Sequence, residues 1–321
     1  MSIALSNTTS VPAQTLERLQ EDVLLPICKA CGTQYSYPRS SCIICDDPRQ
    51  FVPPSGQAWT NLAELGSTFK QSLLPDQDDN RIHHVVTEPG FAINQTPFLI
   101  ETAEGSYIWE CTAFLSVELI GYLTQLKKPL RAIAISHPHF FTTSLTWSRA
   151  LNIPLYICAD DREWYQRLDD IKETDDVRFW TQQVQLGKGV KLIQCGGHFP
   201  GSSVLYWDRL AEPAPSPNHL PTKPVPVSGI LFTSDTIMVQ PTQKGFAFLW
   251  SVPNCIPLRP KAVLAIQQKL KGVQYSQATS SWPGRWIRQD AKQVFEESVV
   301  THLSAQGWRI EGDELLKDYA Q

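Results

Sequence analysis

The chain has 321 residues, 42% of them hydrophobic and 19% charged, with a formal net charge of −4 and a sequence pI near 6.0. That composition suits a soluble globular protein with a sizeable core. The acidic balance weighs against nucleic acid or an anionic membrane as the main partner, and no apolar run reaches the roughly 20 residues of a membrane span. The polar stretch from Met1 to Ala13 lacks the basic start and apolar run of a secretory signal. It reads as a tail, and the expected location is cytoplasmic.

In chain order, Leu16 to Leu24 has helical spacing. Ile27 to Pro54 is rich in Cys, Pro and Ser and too poor in apolar residues to fold without a staple. Beyond Gly56 the pattern alternates between strands and helices. Phe91 to Thr102 and Tyr107 to Cys111 read as paired strands turning at Glu104-Gly105. Val117 to Leu126 reads as an amphipathic helix with Ser116 as N-cap. Arg131 to Ser136 is a short buried strand, followed by a helix from about Thr143 to Leu151, a strand Leu155 to Cys158 and a helix near Asp161 to Leu168. Val190 to Gln194, Ser203 to Trp207 and Gly229 to Thr233 read as further strands, and Lys261 to Leu270 and Asp290 to Gln306 as helices. Ala211 to Pro226 holds six prolines and reads as an exposed insertion. The organisation expected is a tail and short helix over 1–26, a cysteine module over 27–57 and an α/β domain over 58–321.

Eight cysteines are present. Cys28-x2-Cys31 and Cys42-x2-Cys45 form two knuckles whose four thiolates can close a tetrahedron around zinc. Gly32 falls where the first knuckle must turn. With no open coordination position such a site is structural, and metal binding supplies its folding energy. Cys111, Cys158, Cys195 and Cys255 lie mostly in apolar runs and read as small buried hydrophobes.

A second set of ligand-type residues falls at predicted strand ends. His137 and His139 follow the Arg131–Ser136 run directly. His198 sits in a Gly-rich turn, Gly196 to Gly201, where glycines allow close backbone approach. Asp235 follows the Gly229–Thr233 run. Three imidazoles and a carboxylate suit a borderline metal such as Zn²⁺. Phe140, Phe141, Trp147, Phe199, Trp250, Trp282 and Trp286 are either core or walls of an apolar pocket. His83 and His84 read as a solvated loop pair. Arg285 and Arg288 have the chemistry to hold a carboxylate and equally suit the surface, while His219 and His302 carry no signal.

The order His-x-His after a strand, then Gly-Gly-His, then Ser-Asp-Thr resembles the metallo-β-lactamase fold, a four-layered αββα sandwich. Further likeness to a fungal branch with an N-terminal zinc ribbon lies in Gln57–Trp59, Phe91–Gln95, Leu99-Ile100, Ile108 to Cys111, Cys158 to Trp164 and the ribbon exit Cys45 to Gly56. It spans about residues 27–310. The resemblance implies a metal-dependent hydrolase with His137, His139 and His198 as ligands, Asp235 as fourth ligand or water-orienting base, and a substrate pocket near Phe140, Phe141, Thr142, Phe199 and Trp282. The family's first motif runs His-x-His-x-Asp-His; here Phe141 and Thr142 replace its last two members. Ser280-Ser281-Trp282 offers no late histidine. The implied state is one zinc in the ribbon and one in the catalytic domain, acting on an ester, thioester, lactone or similar acyl bond of a small-molecule substrate, which is bulky and apolar if several of the aromatics named above face the metal. The alternatives are a catalytically impaired scaffold of the same fold and, less favoured, a nuclease.

Overall fold

The computed structural model describes residues 3–4, 11–211, 229–311 and 314–317. The proline-rich segment expected over 211–226 and His219 lie, Ala211 apart, outside the described residues. The chain divides after Trp180 into two compact units, each built on a mixed sheet with helices, so the α/β class expected from the strand–helix alternation holds in both.

The first unit carries an eight-stranded sheet, whose edge strand Ile3–Ala4, within the segment expected as a tail, pairs antiparallel with Leu73 and Ser72. Strands Lys70–Pro75, Ile82–Glu88, Phe98–Glu101 and Ser106–Trp109 run antiparallel. From there the sheet turns parallel, through Leu130–Ala134, Leu155–Cys158 and Val177–Trp180. Parallel neighbours need crossovers. The first is helix Val117–Thr124, whose N-cap Ser116 accepts from the Leu119 amide at 3.1 Å, as expected. Helix Ser144–Leu151 is the second.

The third crossover departs from the expected helix. It consists of two short 3₁₀ turns, Ala159–Trp164 and Leu168–Asp170. Asp161, Tyr165 and Arg167 are all buried, and positions 165 and 167 cannot share one face of a regular α-helix. Arg167 is drawn inward by Asp22, at 3.0 Å. Asp22 ends helix Ala13–Asp22 and also pairs with Arg149 at 3.1 Å. Gln34 joins the same cluster, accepting from Arg167 at 2.6 Å and from Thr146 at 2.8 Å. Buried charges persist only when paired and hydrogen-bonded. This network ties the N-terminal helix, the cysteine module and two crossovers together.

His83 and His84 also depart from expectation. They lie within strand Ile82–Glu88 and are 5% and 6% exposed, not on a solvated loop. His84 packs on Phe98, ring centroids 4.7 Å apart, and burial lowers the His83 pKa. Strand formation over 91–102 is confined to Phe98–Glu101.

The second unit holds a six-stranded sheet. Gln183–Gly187, Val190–Gln194, Ser203–Trp207 and Gly229–Thr233 are antiparallel in sequence order. Tyr275–Ser280 then pairs parallel to Gly229–Thr233, and Trp286–Ile287 closes the edge. Helices Pro260–Leu270 and Ala291–Ala305 bury Val263, Ile266, Phe295, Val299 and Leu303 against Val204, Leu231 and Ala278 of that sheet.

Candidate metal centres

The four cysteines come together as the spacing requires. All are buried and all are free thiols, and their sulfurs lie within 4.8 Å of one another. Cys28 and Cys45 are 3.7 Å apart, Cys31 and Cys42 3.5 Å. A tetrahedron with bonds of about 2.3 Å has edges of about 3.8 Å, so the cage matches a zinc-sized ion. Tyr35 Oη donates to Cys42 Sγ at 3.2 Å, and Gln57 Nε2 to Cys28 Sγ at 3.2 Å. Such donors settle thiolate charge and orient ligands. Hydrogen bonding from Cys31 pulls the Cys28 pKa down, whereas burial drives that of Cys31 up.

The knuckle turns through Gly32, φ +82°, whose amide donates to Cys28 O at 2.9 Å. A Cβ there would stand 2.6 Å from Ala113 Cβ and 3.4 Å from Thr142 Cγ2. The backbone continues the contact, since Gln34 N donates to Thr142 O at 3.2 Å. The cysteine module is therefore seated on the loop that carries His137 and His139. Its exit adds Asp47, gripped by the Arg49 guanidinium at 2.7 Å. Burial alone would raise the Asp47 pKa, but its bonds to Arg49 hold it below the ordinary carboxylate value.

Strand Leu130–Ala134 delivers His137, and a 3₁₀ turn over Pro138–Phe140 places His139 beside it. Their rings are 5.3 Å apart, edge to face, and 1% and 0% exposed. Ser136 Oγ lies 2.7 Å from His137 Nδ1, a contact of the kind that orients metal-binding imidazoles. The C-terminal ends of parallel strands are where open α/β sheets bind ligands. Glu110, at the end of the neighbouring strand, was not singled out by sequence. It is fully buried with φ +70° and accepts from the Ser136 amide at 3.1 Å, so it positions the histidine loop. An acid closing an apolar strand (Tyr107-Ile108-Trp109-Glu110) was the available signal.

Phe141 and Thr142 turn into packing contacts. Phe141 meets Tyr165 edge-on at 5.3 Å, and Thr142 Oγ1 lies 3.0 Å from Cys111 Sγ. Phe140 packs on His137 with centroids 4.4 Å apart. Trp147 is fully buried and donates to Thr112 O at 3.2 Å.

In the second unit His198 occupies the loop between Val190–Gln194 and Ser203–Trp207. Gly196 and Gly197 have φ +73° and +89°, conformations that favour glycine, and Gly196 N donates to Ser202 O at 2.9 Å. His198 Nδ1 faces Leu249 O at 3.2 Å, and Nε2 lies 3.6 Å from Asp235 Oδ2. That gap exceeds a hydrogen bond but matches the spacing of two donors on one ion with bonds of about 2.1 Å. Asp235 follows strand Gly229–Thr233 and is 3% exposed. Phe199 packs edge-on against the His198 ring at 5.1 Å. Ser280 and Ser281, at the late strand end, are fully buried.

The remaining candidates have structural roles. Arg285 donates to Val239 O at 3.1 Å, and Arg288 stacks over Trp286 at 3.9 Å. His302 Nε2 contacts Leu258 O at 3.0 Å. Cys111, Cys158 and Cys195 are buried as expected, and burial pushes the latter two thiols up to about 12. Cys255 is the exception: it is exposed, at a turn with φ +54°.

Two mixed sheets and a buried four-thiol cage define a mixed α/β protein with a structural metal module of zinc-ribbon type. The chain belongs to the family of the uncharacterized protein YmaE of Bacillus subtilis (strain 168): the two are 31% identical over 283 residues, 87% of this chain and 96% of that protein. No family model matches the sequence. Among solved structures the chain is similar to VMB-1 at pH 5.5, with 12% identity, a TM-score of 0.48, and coverage of 74% of this chain and 98% of that one. It is also similar to the DIM-1 metallo-β-lactamase exposed to ceftazidime (10%, 0.46, 73% and 97%) and to a metallo-β-lactamase from Pontibacter korlensis (16%, 0.40, 74% and 93%). No described helix is long and apolar enough to cross a membrane.

Proposed function

We propose that the chain is a metal-dependent hydrolase of an acyl bond (ester, thioester or lactone), using one zinc ion held by His137, His139 and His198 with Asp235. The observation that carries this reading is the His198–Asp235 pair, buried, 3.6 Å apart, with Nδ1 of the imidazole turned to a backbone carbonyl. The buried His137–His139 pair supports it, its leading ring steadied by Ser136 and, through the Ser136 amide, by Glu110. All four residues offer one ligand atom each. An ion bound there would supply Lewis-acid chemistry, polarising an acyl carbonyl and lowering the pKa of a water molecule to about 7.

The chain's own groups do the rest. Asp235 either completes the donor set or, as base, orients the water. Phe140 and Phe199 wall the imidazoles with apolar surface, which strengthens electrostatic interactions by excluding water. Phe141 and Thr142, engaged with Tyr165 and Cys111, provide no carboxylate or imidazole for a second ion, which favours a single-ion site. Phe140, Phe141, Thr142, Phe199 and Trp282 are proposed to border the substrate, a small molecule.

The same replacements favour a second reading, a scaffold that binds without turnover. Elemental analysis of the full chain, combined with a screen of acyl esters, thioesters and lactones, separates the two. Two zinc equivalents and saturable hydrolysis are expected for the hydrolase. One equivalent, with no turnover, overturns it.

A further inference from the structure

We propose that Thr236 is a positioning residue for the metal site, its hydroxyl tying the loop of His198 to the strand end that carries Asp235. This rests on reading His198 and Asp235 as ligands of one ion.

Sheet register brings the two segments together. Strands Ser203–Trp207 and Gly229–Thr233 are antiparallel, with Leu205 opposite Phe232, so the start of the one stands beside the end of the other. The His198 loop enters the first of these strands, and Ser234-Asp235-Thr236 leaves the second. The loop's own bonds give it shape. Cys195 N and Gly196 N both donate to Ser202 O, at 2.8 and 2.9 Å, and Phe199 N donates to Ser202 Oγ at 2.8 Å. These bonds close the loop on itself, and none of them reaches the segment of Asp235.

Thr236 makes that link. It is 1% exposed, and its side chain lies against three consecutive residues of the loop. Its hydroxyl donates to Gly196 O at 2.5 Å and accepts from the His198 amide at 3.4 Å, the second a long bond. At Gly197, φ +89°, a Cβ would stand 2.6 Å from the same oxygen, so the glycine makes room for the hydroxyl. A hydroxyl has one proton to donate and lone pairs to accept with, and both capacities are used here. The β-branch restricts the threonine rotamer, which suits a fixed tie. Two successive glycines lose much backbone freedom on folding. The loop therefore needs an outside hold to keep His198 Nε2 3.6 Å from Asp235 Oδ2.

Zinc affinities of the full chain, measured by competition with a graded series of chelators, test the tie without requiring turnover. Thr236→Val keeps the shape and removes the hydroxyl, whereas Thr236→Ser keeps the hydroxyl. His198→Ala identifies which zinc equivalent belongs to this site. Thr236→Val is expected to weaken that equivalent by about 10- to 100-fold, the usual loss when an outer contact of a metal ligand is removed, and to leave the other equivalent unchanged. Thr236→Ser should retain the native affinity. Thr236→Ala, which only removes atoms, gives the same reading if the valine variant does not fold. A threonine with a merely structural role would lower the thermal midpoint and loosen both equivalents together or neither, and either result overturns the proposal. A serine variant as weak as the valine one overturns it too. If His198→Ala removes no metal, the ligand reading falls and takes the proposal with it. If His198→Ala removes one equivalent while Thr236→Val holds it at native affinity, the proposal alone falls and the metal site stands.

Discussion

The two ligand sets differ in how they are built. The cysteine cage is local: four residues within eighteen positions, closed on all sides, with sulfurs already 3.5–3.7 Å apart in the pairs Cys31–Cys42 and Cys28–Cys45. The histidine set is distributed, one pair after a strand of the first unit and one pair on loops of the second, each ring steadied by its own neighbours. The cage has little apolar residue to fall back on, so a metal bound there would supply its folding energy. The histidine pairs lie at the ends of strands whose sheets have extensive apolar cores of their own, so the metal proposed there would add chemistry to a scaffold folded by burial. The difference teaches that losing one metal should cost structure and losing the other should cost function.

The largest effect expected is from Cys42→Ala. It should remove one zinc equivalent and lower the thermal midpoint by about 10 °C or more, because a structural site contributes folding energy outright; calorimetry with metal analysis checks both. His198→Ala should instead remove the other equivalent and reduce turnover by about a thousandfold or more, with a much smaller shift in midpoint. Equal thermal shifts in the two variants would erase the contrast. Asp235→Asn should weaken metal affinity by about 10- to 100-fold, the scale of losses at metal-site carboxylates and their partners, measured by competition with a chelator. An unchanged affinity with lost turnover would assign Asp235 as base rather than ligand.

Gln34→Leu probes the seam between the cage and the histidine loop. It removes one of two acceptors that Thr146 and Arg167 share, Asp22 being the other, and should cost about 1 kcal/mol, read by denaturant unfolding. The smallest effect concerns His83. Burial lowers its pKa below the ordinary value near 6.5, so the unfolded chain binds the proton more tightly. Stability is then full above about pH 6.5 and declines as the pH falls through that value toward the folded pKa. His83→Asn should flatten this decline in a pH series of thermal midpoints.

Much of this was legible in the sequence because local physics decides it. The CxxC spacing, the capping hydroxyl of Ser116 and the apolar runs ending at His137 and Asp235 each needed only their own neighbours. What was not legible depends on distant partners. Strand Ile82–Glu88 carries two histidines that look solvated until Phe98 and the adjoining strands bury them. The segment after Cys158 has helical composition, but Asp22, more than a hundred residues away, pulls Arg167 inward and breaks the period. Glu110 looks like an ordinary strand end until its carboxylate is seen holding the Ser136 amide.

Gly32 and Ala113 bear on how the chain can change over evolutionary time. The space between them is too small for one added carbon: a methyl at position 32 would lie 2.6 Å from the one already present at 113. Position 32 is thus held to glycine, both by this contact and by its φ of +82°, for as long as position 113 carries a Cβ in that place. The cysteine module and the histidine loop share an inheritance at that contact, and neither can be exchanged for a foreign counterpart without refitting the other.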